Sequence, residues 1–249
     1  SIMSRLEITT STAAYNVNFC FPLRELESDR VKLVPFIPDL HADLYLQGSA
    51  AHPELYDFTS FGPFSDVSDF VQQLIHGPMG SNTAVLYAII DKTRISPSSS
   101  SKLTSANFAG IIGFINTSPV HSSTEISPVF TLPPFQRTHV TTNAIGLLLQ
   151  YALDLPPHGL GLRRVQWKAN RLNTKSISAA QKLGFKLEAI SRWARVLPAS
   201  KAIASNDGRL REGDPRPDTV GMDRAELALC WDDWESEGAR VLQAMDRRS

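Results

Sequence analysis

Residues 135–153, "FQRTHVTTNAIGLLLQYAL", read as a loop that runs into the start of a helix. The first turn of a helix carries backbone N–H groups with no intrahelical acceptor, and the helix dipole adds partial positive charge there. Such a place favours a phosphate. Arg137 adds a full positive charge, and Thr141 and Thr142 add hydroxyls. The stretch has no glycine before Gly146, which stands well inside the helix, so its backbone is more crowded than in glycine-rich phosphate loops. No second histidine stands at ligand spacing from His139, so no metal site is expected. Asn173 and Ser176, three apart in "NTKSISAAQKLGF", share one helical face. Glu125 lies just upstream of the loop in "STEISPVF". Cys20 and Cys230 sit in the apolar settings "NFCF" and "LALCW". They read as buried, inert thiols and make no disulfide framework.

Alternating and helical patterns indicate the elements that must hold these residues. Strands are expected at 30–36, 84–91, 108–116, 123–130, 163–169, 185–196 and 224–231. Helices are expected at 38–48, where Pro38 opens and Gly48 closes; at 65–77, with Ser and Asp capping; from about 141 to 155, capped by Thr141 or Thr142 and stopped by Pro156 and Pro157; at 173–185; and at 232–247. Asn173 is an N-cap and Gly184 a left-handed C-cap. Pro128 cannot donate to a ladder, so its strand should bulge or splay there. Residues 1–29 are weakly periodic and are expected to wrap the surface. The Ser-rich 94–107 reads as a mobile hairpin loop and 198–218 as a second long loop. Trp231 and Trp234 read as core. Trp193 and Arg195 are open between lining a cleft and, for Trp193, core packing. No repeat or domain linker interrupts the chain. The order of elements describes a single α/β domain with a mixed, mostly antiparallel central sheet flanked by helices.

The bounds agree. A chain of 249 residues can bury a sizeable core. Its 25 basic and 25 acidic side chains cancel, which argues against a general nucleic-acid binder. There is no secretory leader and no apolar run long enough to cross a bilayer, so no membrane partner and a reducing, cytoplasmic setting are expected.

The order of elements resembles the GNAT acetyltransferase superfamily. The tract "RRVQWKANRLNTKSISAAQKLGFKLEA" (163–189) resembles its ribosomal-protein-alanine acetyltransferase-like branch, through Trp167, Lys168, Asn170, Leu172, Asn173, Ser176, Ala179, Ala180, Leu183, Gly184 and Phe185. "TEIS" (124–127) resembles the branch's fourth-strand motif, and "CWDDW" (230–234) its terminal strand and helix. The resemblance implies an extension over 1–29, a GNAT-like domain over 30–249, and acetyl-CoA as co-substrate. Its coenzyme-A loop has the form Q/R-x-x-G-x-G/A; here Gln136 matches the first position, while His139 and Thr141 replace the glycine and the Gly/Ala. Gln136, Arg137, Thr138, His139, Val140 and Thr141 become the pyrophosphate site, with His139 a solvated or phosphate-facing residue. Asn173 and Ser176 become contacts to the pantetheine region; for Asn173 a plain capping role stays open. Many GNAT enzymes carry a tyrosine acid where this chain has Ala180; the branch uses a serine, matched by Ser176.

Acetyl transfer to an amine needs a neutral amine, a donor for the oxyanion and a proton for the thiolate. A strand splayed at Pro128 would expose an amide as that donor. Glu125 is the candidate base, directly or through water; an outward carboxylate in an ion pair is the other reading. Ser176 is the candidate acid. An N-acetyltransferase of a small or short amine is thus expected, as a monomer or homodimer. A GNAT-fold protein that has lost acetyl transfer and serves as a binding module, or catalyses different chemistry in the same cleft, is the alternative. The loops 94–107 and 197–218 are either lids over the acceptor side or disordered insertions.

Overall fold

The computed structural model describes residues 7–10, 13–16, 18–95 and 103–247. Two short strands, β1 (Glu7–Thr10) and β2 (Ala13–Asn16), pair with each other apart from the main sheet. The chain then enters the domain through β3 (Leu26–Glu27), β4 (Val31–Pro35), α1 (Pro38–Ser49) and α2 (Val67–Phe70), which continues as a wider π turn over Val71–Ile75. There follow β5 (Val85–Asp91), β6 (Phe108–Ser118), β7 (Ser123–Thr131), α3 (His139–Leu153), β8 (Arg164–Asn170), α4 (Thr174–Lys182), β9 (Lys186–Pro198), β10 (Thr219–Cys230) and α5 (Trp231–Asp246).

Eight strands form one sheet in the order β3-β4-β5-β6-β7-β8-β10-β9. Every neighbouring pair is antiparallel except β7 and β8. The expected single α/β domain with a mostly antiparallel sheet is therefore observed. The last strand, β10, inserts between β8 and the edge strand β9. Helices α1 and α2 pack through Tyr45 and Phe70 near Phe130, and α3 packs Tyr151 against Phe114. Nearly every side chain of α3 from Asn143 to Leu153 is buried, as its all-round apolar surface requires. Gly146 serves packing: a Cβ there would lie 2.3 Å from Met245 Sδ of α5.

The first 29 residues do not only wrap the surface, because Phe19, Leu23 and Leu26 are buried in the main core. Of the expected mobile loop 94–107, residues 96–102 lie outside the described residues. Trp231 is half exposed rather than core, since it opens α5 on the outer side; Trp234 is partly buried and donates from Nε1 to Asp154 Oδ1 at 2.8 Å. Cys20 and Cys230 are free and only partly buried.

Candidate active site

Parallel pairing of β7 with β8 covers only Ser123–Glu125 against Arg164–Gln166. Past Glu125 the strands part, so the β7 residues 126–131 lose a neighbour on that side. The β6–β7 register shifts between Ile112 and Phe114, which places the bulge at Ser127 and Pro128. The bulge falls at a residue that cannot donate to a ladder. A cleft of about 1830 Å³ opens at the splay, lined by β7 from Glu125 to Thr131, by the α3 loop and by α4.

On one side of the cleft stands the N-terminus of α3. Its cap is Thr138, one turn before the expected Thr141 or Thr142. Thr138 is extended (φ −112°, ψ −173°) and its Oγ1 accepts from the Val140 amide. Thr141 is already helical, and its hydroxyl is 2.7 Å from that of Thr131. His139 is neither solvated nor turned to the cleft as a free imidazole. Its side chain is largely buried, with Nε2 3.2 Å from Oδ1 of the buried Asp91. Asp91 also accepts from the amide and hydroxyl of Thr93, at 3.0 and 2.6 Å. The two residues that replace the expected small ones are thus tied back to the sheet, His139 to β5 and Thr141 to β7. Gln136 is tied back as well, donating from Nε2 to Thr131 O at 2.9 Å.

What remains open is backbone and Arg137. Among the described residues, the amides of Arg137, Thr138 and His139 donate to no protein acceptor. Arg137 is exposed and sits in the left-handed region (φ +60°), where a non-glycine residue is strained and a functional constraint is common. The loop without glycine therefore fits a pyrophosphate: its bulk is pinned elsewhere and its donors face outward from a helix start.

Across the splay, Asn173 caps α4, its side chain accepting from the Ser176 amide at 3.1 Å. Gly184 (φ +91°) ends the helix as its position required. Ser176 Oγ accepts from Trp167 Nε1 at 3.0 Å. The indole occupies one lone pair and fixes the hydroxyl, whose proton has no acceptor among the described residues. Both Asn173 and Ser176 line the cleft.

Glu125 is buried (5% exposed), not outward. Its Oε2 takes Asn116 Nδ2 at 3.0 Å and Lys168 Nζ at 3.1 Å, so the ion-pair reading holds in an inward form. Oε1 has no partner among the described residues. Lys168 Nζ also lies 4.0 Å from Glu226 Oε2, while Glu226 Oε1 accepts from Arg224 and Ser191. Burial pushes the Glu226 carboxyl up, but the hydrogen bonds of Arg224 and Ser191 and the charges of Arg224 and Lys168 outweigh it, holding it below the usual range. Glu125, Lys168, Glu226 and Arg224 thus form a row of alternating charge across three strands. Sequence reasoning missed this row. Its signal was the period-2 placement of Lys168 with Asn170 and of Arg224 with Glu226, which becomes meaningful only with the strand order.

The far wall is made by residues 52–61 and by Arg195, Leu197, Met222 and Arg224 of β9 and β10, behind which lies the tract after β9. That tract is stapled. Lys201 Nζ donates to Tyr56 O at 2.7 Å, Asn170 Nδ2 to Ala204 O at 2.8 Å, and Asn206 Nδ2 to Asp223 Oδ1 at 2.8 Å. Leu197, Ala204 and Met222 pack together under Phe58. Residues 197–206 are accordingly bound to the domain behind the cleft rather than standing over it as a free lid. Trp193 does not line the cleft. Its half-exposed ring lies against Gly208 and Gly221, where an added Cβ would come within 2.5 Å and 2.4 Å of ring carbons. Arg195 does line it. No helix of the described residues is long and apolar enough to cross a membrane.

The family model described as "Acetyltransferase (GNAT) domain" matches residues 30–186, more than half of the chain. No curated protein matches the sequence. The fold is similar to that of a GCN5-related N-acetyltransferase from Brucella melitensis (22% identity, TM-score 0.69, 89% of this chain and 85% of that one). It is also similar to Mycobacterium smegmatis RimJ in complex with CoA-disulfide (15% identity, TM-score 0.61, 87% and 90%). A third similar fold is the spermidine N-acetyltransferase from Vibrio cholerae in complex with CoA and spermine (13% identity, TM-score 0.55, 84% and 99%). At these identities the structural likenesses speak for the fold alone.

Proposed function

The chain belongs to the GNAT acetyltransferase family, and from that premise we propose that it is an acetyl-CoA-dependent N-acetyltransferase of a small amine, acting by direct transfer. The observation that carries this reading is the splay of β7 from β8, with open helix-start amides on one side and an accessible carboxylate oxygen on the other. The tract 163–189 supports placing the chain in the ribosomal-protein-alanine acetyltransferase-like branch. In this reading residues 1–29 are an extension and 30–249 the catalytic domain, working in a reducing, cytoplasmic compartment as a monomer or homodimer.

Acetyl-CoA supplies an acetyl group on a sulfur leaving group: the C–S bond breaks as the C–N bond forms, and coenzyme A departs as the free thiol. Arg137 and the amides of 137–139 hold the pyrophosphate, with Thr138, Val140 and Thr141 shaping the first turn and Gln136 and His139 bracing the loop from behind. Asn173 contacts the pantetheine arm beside its capping role. Ser176, oriented by Trp167, donates the proton that the thiolate takes. Glu125 receives the amine's proton on Oε1, while Lys168 and Asn116 keep Oε2 engaged and hold the carboxylate in place. Unpartnered β7 backbone past Glu125 offers the amide donor that a developing oxyanion needs.

The test is calorimetric titration with acetyl-CoA, followed by thiol release with a panel of small amines. A ligand at 100 times its dissociation constant stabilises a fold by about 2.7 kcal/mol. A melting temperature unmoved by millimolar acetyl-CoA would sink the transferase reading. Binding without thiol release for any amine would instead favour a binding module on the same fold.

A further inference from the structure

The charges lining the cleft divide by end. Arg137, Lys175, Lys182 and Arg247, on the α3 loop, α4 and the end of α5, gather where the anionic co-substrate is placed. At the other end the side chains neutralise one another. Glu125 pairs with Lys168, Glu226 with Lys168 and Arg224, and His52 with Glu54. Asp57 faces Lys201, whose own ammonium is lowered by burial and raised by that carboxylate. One cation at this end is left over. Arg195, on β9 opposite Met222 of β10, lines the cleft and has no hydrogen bond or ion pair among the described residues.

The geometry points to Arg195 as the anchor for a carboxylate on the acceptor, so that the acceptor is an amine joined to a carboxylate by an extended spacer. This rests on the acetyltransferase reading above. An arginine fork matches a carboxylate in two parallel hydrogen bonds. The spacing comes from the register. Lys168 on β8 stands opposite Glu226; Arg195 on β9 stands opposite Met222, four residues away along β10 and on the other side of that strand. At ordinary strand rise and separation, the Lys168 and Arg195 backbones are about 16 Å apart, and Glu125 lies one strand further, so the long side chains reach toward each other over a gap of several bonds. An α-amino acid, with one carbon between amine and carboxylate, does not span that distance. Phe58, Leu197 and Met222 line this end as apolar surface, against which the methylene spacer of such an acceptor would lie.

The experiment uses ω-amino carboxylates of increasing chain length and their carboxamides as acceptors for the protein, with thiol release as readout and acetyl-CoA binding measured first. Arg195→Met, at an exposed position, is compared with Arg195→Lys. The expected result is turnover that rises with spacer length and favours each acid over its amide. Arg195→Met should raise KM for the acids about 10- to 100-fold, leave the amides unchanged, and be partly restored in Arg195→Lys. Failure of acetyl-CoA to bind refutes the acetyltransferase reading and this one with it. Acetyl-CoA binding with acids no better than amides, or with equal KM values in Arg195→Met, overturns the Arg195 assignment alone. So does an absence of both turnover and acceptor-induced thermal stabilisation with every acid.

Discussion

The two ends of the cleft handle their polar groups in opposite ways. At the α3 loop, side chains are tied back into the sheet, His139 to Asp91, Thr141 to Thr131 and Gln136 to a carbonyl, and the backbone is left free. At the acceptor end, side chains are tied to one another across β7, β8 and β10, and one carboxylate oxygen and one guanidinium are left free. A backbone site is chemically uniform and suits a constant ligand. A side-chain site is variable and suits selection among acceptors. On the proposed function, the difference explains how a loop without glycines can still take an anion: bulk directed away from the ligand leaves the backbone open.

Glu125→Gln should break the acceptor end most strongly. Loss of a general base lowers kcat/KM by about 100-fold or more, while acetyl-CoA affinity stays unchanged because the α3 loop is untouched. A pH profile of kcat/KM that loses its acidic limb in this variant confirms the role; an unaltered rate assigns Glu125 to structure only.

Acid should weaken the scaffold that holds both ends. His41 is buried, with Nδ1 accepting from the Ile37 amide, and burial lowers its pKa to about 4. The neutral imidazole is the form the fold holds, so its contribution is intact above the unfolded value near ~6.5 and is lost as pH falls from there towards 4. The linkage amounts to about 3 kcal/mol. Denaturant melts between pH 7 and 4 measure it, and His41→Asn should flatten the slope.

His139→Gly sharpens the comparison at the loop. A glycine would be expected to let the backbone approach phosphate more closely, but the imidazole is already turned away. The expected outcome is a stability loss of about 1 kcal/mol from removing one partner of the buried Asp91, which keeps Thr93 and Arg94, with acetyl-CoA affinity equal or slightly better in the folded protein. A large loss of affinity by calorimetry would make the imidazole a direct phosphate ligand.

Asn173→Ala should have the smallest effect on stability, about 1 kcal/mol for a lost cap. Its affinity for acetyl-CoA should fall as well. Unchanged affinity in the folded variant leaves the residue a cap and nothing more.

Much of this was legible in the residues themselves. The strand at 164–170 shows its alternation, Asn173 and Gly184 bracket a helix by side-chain chemistry and left-handed backbone, and Pro128 announces a broken ladder. These signals act within a few residues, so sequence suffices. Choosing Thr138 over Thr141 as the cap was beyond local rules, because any of several hydroxyls could serve until the end of β7 claimed Thr141. The pairing of Glu125 with Lys168 and Glu226 depends on β10 entering between β8 and β9. Strand order joins residues some hundred positions apart, and the hydrophobic pattern, which sets only which face is buried, does not specify it. The sequence by itself determined the elements and the chemical types available for the cleft; the tertiary structure decided which side chains are neutralised and which, Arg195 and one oxygen of Glu125, stay free among the described residues.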